Sequence, residues 1–195
     1  MTTKRVATDD YSLSDRRPRC SWVRDIPLDV QYHDEEWGVP IHDDQLLFEL
    51  LTLEGAQAGL SWLTVLQRRA GYRRVFKKFN PRAVAKFDEG VVATILGDES
   101  VIRHRQKIES VVNNAHAVLE MQKLHGSLDH YLWDLGTAKG ESNAVSKSMS
   151  KRLQKDGFKF VGPTICHSLR QASGMVNDHS ATCFRLMEIR RLSRS

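Results

Sequence analysis

The chain predicts an all-α fold, for three reasons: apolar residues recur at helical spacing, no stretch alternates as a half-buried strand would, and caps and stops punctuate the intervals. The segment LLFELLTLEGA carries Leu47, Leu50, Leu51 and Glu54 on one helical face, and KIESVVNNAHAVLEM carries Ile108, Val111, Val112, Ala115, Val118 and Leu119 on another. Between these, residues 61–70 read as a helix. So does NPRAVAKF, with Asn80 as N-cap and Pro81 at the first helical position. DEGVVATIL, SLDHYLWDL and SNAVSKSMSKRLQKD complete the set. Residues 1–18 are polar and aperiodic and read as a disordered leader, residues 19–184 as the folded helical domain, and residues 185–195 as a basic tail prone to fray. Within the domain GTAKGESN, residues 136–143, is the best linker. With 41% hydrophobic residues in 195, the chain has material for one globular domain or two closely packed subdomains.

The end of the helical body has its own logic. A helix finishing near Asp156 meets Gly157, a natural left-handed stop, and a second helix can start at Pro163, where the missing N–H is not needed. Residues 143–173 therefore read as helix, GFKFVG loop, helix. Such a hairpin can grip a DNA backbone if Gly162 lets N–H groups approach a phosphate, with Lys159 and Thr164 beside it and Lys151 and Lys155 close by. The alternative is an ordinary helical hairpin plugged by Phe158 and Phe160.

Charge favours the first reading. The net charge of +5 is modest, but basic residues gather in RRPR, QRRAGYRRVFKK, IRHRQK, KSMSKRLQKDGFKF and RRLSRS, the footprint of a polyanion partner such as nucleic acid. No run approaches the eighteen or so apolar residues of a membrane span, and the N-terminus lacks the apolar core of a secretory signal, so a cytoplasmic, non-membrane protein is expected. Three cysteines, an odd count, argue against a disulfide framework. Cys166, inside a helix, suits the core.

Two groups of residues could carry chemistry. Cys20, His33, His179 and Cys183, spaced as Cys-x₁₂-His and His-x₃-Cys at opposite ends of the chain, could hold a structural metal that fastens the first folded segment to the last. Their spacing resembles no ordinary zinc ribbon, and lone cysteines and histidines are commonly core or surface residues, so spacing alone does not decide. Glu54 is the second feature. A carboxylate on an apolar stripe must face the interior or a cavity, and burial without a partner is costly. If the helix continues past Gly55 and Gly59, Ala58 and Trp62 follow on the same face. Trp22 and Trp37 read as core, whereas Tyr32, fixed next to His33, is placed to stack on a flat ligand. Rings plus a carboxylate suit a planar, cationic base.

RCSWV, YHDEEWGVP, LEGAQAGLSW, IRHRQKI, GFKFVG and GMVNDH, in this order across residues 19–183, resemble the bacterial 3-methyladenine-DNA glycosylase I family, monofunctional DNA repair enzymes. The resemblance covers nearly the whole folded chain. It implies a helix-hairpin-helix fold with one structural Zn²⁺ on Cys20, His33, His179 and Cys183, and Glu54 at the base pocket. It further implies that Tyr32 and Trp62 contact a flipped base and that Trp37 lines the site. The expected activity is hydrolysis of the N-glycosidic bond of 3-methyladenine in double-stranded alkylated DNA by a monomer, with free 3-methyladenine as product. Glu54 is assigned to hydrogen bonding and electrostatic stabilisation, with activation of water as the lesser role. Asp29, three residues before Tyr32, departs from an aromatic position of a relative and changes the outer wall of the pocket. No lysine lies between Pro163 and Ser180, which excludes the Schiff-base lysine of lyase-active relatives, and Asp178 reads as a turn residue beside His179 rather than as a catalyst. The alternative function is a noncatalytic, zinc-stapled DNA-binding module built on the same hairpin.

Overall fold

A computed structural model of the chain describes residues 17–192. Among the described residues there is no strand, and no helix is long and apolar enough to cross a membrane. The helices are α1 (Pro27–Gln31), α2 (Asp44–Gln57), α3 (Trp62–Leu66), α4 (Arg69–Val75), α5 (Pro81–Val84), α6 (Glu89–Leu96), α7 (Arg105–His125), α8 (Leu128–Gly136), α9 (Ser142–Lys155), α10 (Pro163–Ala172) and α11 (Arg185–Leu192). A single π-helical turn, Tyr32–Glu36, continues α1, and such widened turns collect at functional positions.

Helix α2 is the axis of the molecule, packed against α3, α7, α8 and α10. Every residue from Leu47 to Ala56 is buried, so the helix is covered on all sides, as its nearly continuous apolar sequence requires. Asp43 caps its start by accepting from Gln45 N at 2.9 Å and Leu46 N at 2.8 Å. Asp44 then accepts from Leu128 N at 2.9 Å and Asp129 N at 2.8 Å, fastening the head of α2 to the head of α8. The predicted cap Asn80 forms as well, and Asp88 and Ser127 act in the same way: each accepts from the backbone N–H three residues on.

Two elements differ from the expected pattern. Helix α2 does not run on to Trp62: it ends at Gln57, Gly59 turns the chain at φ +79°, and Trp62 opens the separate helix α3. The break is held from outside by Lys107, a buried residue whose Nζ donates to Ala56 O at 2.9 Å and Ala58 O at 2.7 Å. A cation there also meets the negative end of the α2 dipole. The helix expected over residues 61–70 is likewise two helices, parted at Gln67 and Arg68. Gly136 closes α8, which shortens the linker to residues 137–141.

The hairpin α9–α10 forms as expected. Gly157 has φ +92°, Phe158 is buried, and Asn114 grips the loop through Lys159 N at 2.7 Å and Lys159 O at 3.0 Å. The loop lies on α2: a Cβ on Gly55 would meet Phe160 Cβ at 3.2 Å, so a larger residue there would push the hairpin away by a few tenths of an ångström, one residue past Glu54. The ends of the described chain also meet. Phe184 N donates to Pro18 O at 3.0 Å, and the Arg17 guanidinium lies 3.9 Å from the centre of the Phe184 ring. Of the expected leader, residues 1–16 lie outside the described residues. The expected basic tail starts as helix α11 with Ile189 buried, and residues 193–195 lie outside the described residues.

Candidate functional site

The N-terminal segment from Cys20 to Trp37 contributes to two adjoining sites. In the first, the four predicted ligands converge: one donor atom from each of Cys20, His33, His179 and Cys183 lies within 4.8 Å of all the others, and all four residues are buried. Cys20 Sγ is 3.6 Å from His179 Nδ1, and Cys183 Sγ is 3.4 Å from both His33 Nε2 and His179 Nδ1. A tetrahedral ion with sulfur near 2.3 Å and nitrogen near 2.0–2.1 Å would set neighbouring S and N donors about 3.5 Å apart, so the cluster already has the size of a metal cage.

The ring nitrogens facing away from the cluster are also occupied. His33 Nδ1 pairs with Asp34 Oδ1 at 2.8 Å, Asp34 is held in turn by Arg19, and His179 Nε2 faces Trp37 O at 3.2 Å. These partners fix each imidazole with its lone pair inward. Burial lowers the pKa of His33 and brings that of His179 down to about 4, keeping both rings in the neutral, ligating form. The backbone N–H of Ser180 points at Cys20 Sγ from 3.4 Å, which suits a thiolate. The cluster can hold a metal ion.

The second site is a cavity of about 410 Å³ lined by Trp22, Asp29, Tyr32, Trp37, Glu54 and Trp62, with Gln57, Ser61, Ser168, Gln171 and Asp178 around them. Glu54 comes from α2, the aromatic wall from the loop, π-turn and α3, and the far side from α10 and the loop after it. The rings of Tyr32 and Trp62 stand 5.2 Å apart at 51°, and those of Trp22 and Trp37 5.1 Å apart edge-on. Trp37 in turn packs edge-on against His179 at 4.6 Å, so one aromatic wall is braced by the Cys/His cluster.

Glu54 is 3% exposed, and burial pushes its carboxyl up to about 8. Its Oε2 has no hydrogen-bond partner. Nor do Trp62 Nε1 and Asp29 Oδ1, so two acceptors and a donor are left open by residues of one cavity. Burial also holds the Tyr32 phenol well above its usual pKa, helped by the nearby Glu54 and Glu36 carboxyls, so it stays a neutral hydroxyl. Such a cavity can take a flat ring with polar edges.

Trp37 is buried as expected and Tyr32 is buried beside it, but Trp22 is not core: it is 40% exposed where it lines the cavity. The continuation of α2 is not what brings Trp62 beside Glu54; the Gly59 turn and the start of α3 do. Asp178 stands on the cavity wall with Oδ2 accepting from Gln171 Nε2 at 2.9 Å. Ser168 and Gln171 carried no sequence signal beyond their place in the second hairpin helix, and Lys107 showed only as one cation in a basic run. On the hairpin, Lys159 and Thr164 are exposed, and Gly162 is the N-cap of α10 with φ −61° and no side-chain cap. A Cβ on Gly162 would meet nothing within 4 Å, so neither packing nor backbone angle inside the protein calls for glycine there.

Comparison with known proteins gives one consistent picture. The sequence model of the family described as methyladenine glycosylase matches residues 22–186. DNA-3-methyladenine glycosylase 1 of Escherichia coli (strain K12) is 45% identical over 177 residues, spanning 85% of this chain and 95% of that protein. The DNA-3-methyladenine glycosylase of Haemophilus influenzae is 40% identical over 177 residues, with 85% and 96% covered. Among solved structures, a crystal structure of 3-methyladenine DNA glycosylase I superposes with TM-score 0.82 at 42% identity, covering 86% of this chain and 98% of that one. The Staphylococcus aureus enzyme, solved to show the structural basis of 3-methyladenine recognition, gives 0.80 at 32% identity, with 86% and 96% covered.

Proposed function

The chain belongs to the methyladenine glycosylase family, and from that premise we propose that it hydrolyses the N-glycosidic bond of 3-methyladenine in alkylated DNA, leaving an abasic site. One observation carries the assignment of roles: a buried Glu54 carboxyl with an unpartnered oxygen, in a cavity walled by Tyr32 and Trp62.

Alkylation makes the base a cation while it is still joined to deoxyribose. When the bond between C1′ and the ring nitrogen breaks, its electron pair returns to the base, which departs neutral; water adds to C1′ and gives up a proton. The leaving group is already activated, so the protein's work is extrusion, recognition and electrostatic support. Tyr32 and Trp62 stack on the extruded ring, Trp37 closes the wall, and Glu54 accepts from the adenine amino edge. A cation entering the cavity drives Glu54 toward its ionised form, because opposite charges attract strongly where water is excluded. Activation of water by the same carboxylate is the secondary role.

The hairpin supplies the backbone grip. Gly162 leaves the start of α10 uncovered, and Lys159 and Thr164 flank it, an arrangement suited to a phosphate. The metal on Cys20, His33, His179 and Cys183 is Zn²⁺ in this reading, chosen by the two-thiolate, two-imidazole donor set. When bound, it clasps the two ends of the fold and takes no part in the hydrolysis. The protein acts as a cytoplasmic monomer without lyase activity. A noncatalytic DNA-binding module on the same hairpin has no use for an open carboxyl at the bottom of an aromatic cavity.

Incubating the purified protein with methylated duplex DNA and separating the released bases by chromatography tests the reading. Free 3-methyladenine is expected, with no covalent adduct on borohydride treatment. A folded, metal-loaded protein that releases no alkylated base would overturn it.

A further inference from the structure

Glu54 is not the only open carboxyl in the cavity. Asp29, in α1, is 1% exposed and lines the same space as Glu54 and Trp62. Its Oδ2 accepts from Arg24 Nε at 2.6 Å, while Oδ1 is buried and has no partner. Arg24 itself is half exposed, its side chain 47% accessible, and also borders the cavity. If pairing with Arg24 were the whole purpose of Asp29, a surface carboxylate would serve as well and avoid desolvation, and a forked contact would occupy both oxygens. Instead the arginine fixes one oxygen, and the other is left without a donor in the wall of the cavity.

We propose, resting on the base-pocket reading above, that Asp29 is a specificity-determining residue that reads the charge of the base: its open oxygen favours the cationic base still attached to DNA over the neutral base after release. The chemistry supplies the difference to be read, since bond cleavage removes the positive charge from the ring. A carboxylate in a water-poor wall discriminates between those two states, whereas aromatic stacking holds both. The pocket thereby takes up substrate and lets product go, and it disfavours neutral, undamaged adenine that is extruded by chance.

The test compares wild type, Asp29→Asn and the double variant Arg24→Gln/Asp29→Asn at one salt concentration and one pH near 8. Three quantities are measured for each: half-saturation of 3-methyladenine release from duplex under single-turnover conditions, affinity for free 3-methyladenine, and affinity for undamaged duplex. Thermal unfolding and metal content verify the fold. Asp29→Asn keeps the shape and an acceptor oxygen but removes the charge. Half-saturation on damaged duplex is expected to rise about tenfold relative to undamaged duplex, while free-base affinity stays within about twofold. The double variant, which leaves no uncompensated arginine and so remains informative if the single variant folds poorly, should show the same split. Equal loss for damaged duplex and free base would mean that Asp29 acts through shape, and no change in either would mean that it serves only Arg24; each result overturns the proposal. Glu54→Gln run alongside separates the two levels: if that variant also captures free base normally, the base-pocket reading fails, not the charge reading alone.

Discussion

Tyr32 and His33 are consecutive residues that face two sites finished in opposite ways. Around His33, each donor atom of the cluster and each outer ring nitrogen has a partner: Asp34 and Arg19 behind His33, Trp37 O behind His179, Ser180 N beside Cys20. Around Tyr32, residues of the cavity leave Glu54 Oε2, Trp62 Nε1 and Asp29 Oδ1 without one. Buried polar atoms are nearly always satisfied in folded proteins, so atoms left open together in one cavity suit a ligand with complementary polar edges. In the proposed reading the closed cluster is a fixture and the open cavity a receptor. Trp37 joins them, its carbonyl holding His179 and its ring walling the cavity.

The largest effect that bears on this contrast is expected at the cluster. Cys183→Ala removes one metal ligand, and because a structural metal site is assembled only by folding, the binding energy is folding energy. The melting temperature should fall by at least about 10 °C, from a cost of several kcal/mol at roughly 2–4 °C per kcal/mol for a chain of this size. Unchanged thermal unfolding after complete metal removal would break the comparison at its closed end. At the open end, Trp62→Ala should weaken capture of free 3-methyladenine by about tenfold or more, since stacking on an aromatic contributes about 1–3 kcal/mol per base. Its affinity for undamaged duplex should barely move. Gly162→Asp reverses that pattern, weakening duplex binding about tenfold whether or not a base is damaged, when titrated at fixed salt. Because a Cβ at this position meets nothing, the variant should fold, and normal DNA binding by it would make the hairpin a packing element.

The smallest effect is the pH dependence of stability. Glu54 has a folded pKa raised to about 8 by burial, above the ordinary 4.5. The folded state therefore holds the proton more tightly, and its contribution is complete below the unfolded pKa and lost as pH rises through the folded one. Between pH 7 and pH 8 the wild type should lose about 1 kcal/mol relative to Glu54→Gln. Parallel stability curves for the two proteins would show that Glu54 is not the buried acid described.

Most of the fold is readable locally because its determinants are local. The stripe on α2, the caps Asn80, Asp88 and Ser127, and Gly157 at the hairpin each act through neighbours within a few residues. The cluster is non-local, and the spacing of its ligands alone did not decide for it; the order of the motifs along the chain did. What stayed hidden depends on contacts across long stretches of sequence. The end of α2 is held by Lys107, 49 and 51 positions away in sequence from the carbonyls it binds. Trp22 resembled a core residue by type but is 40% exposed where it lines the cavity, two residues from the buried Cys20 of the Cys/His cluster. Asp29 gave notice of a changed wall, while its pairing with Arg24 and its open oxygen show only in three dimensions.

Single-turnover release of 3-methyladenine from methylated duplex, followed for wild type and Glu54→Gln across pH, tests the receptor directly. With folding and metal content matched, the variant should be slower by at least about tenfold, a loss of roughly 1.4 kcal/mol or more of transition-state stabilisation. The wild-type kcat/KM should fall as pH drops below about 8, where the empty-pocket carboxyl of Glu54 takes up its proton, and the variant should lack that flank. Equal rates and superimposable pH profiles would contradict the account, because the open oxygen of Glu54 would then have no part in reading the damaged base.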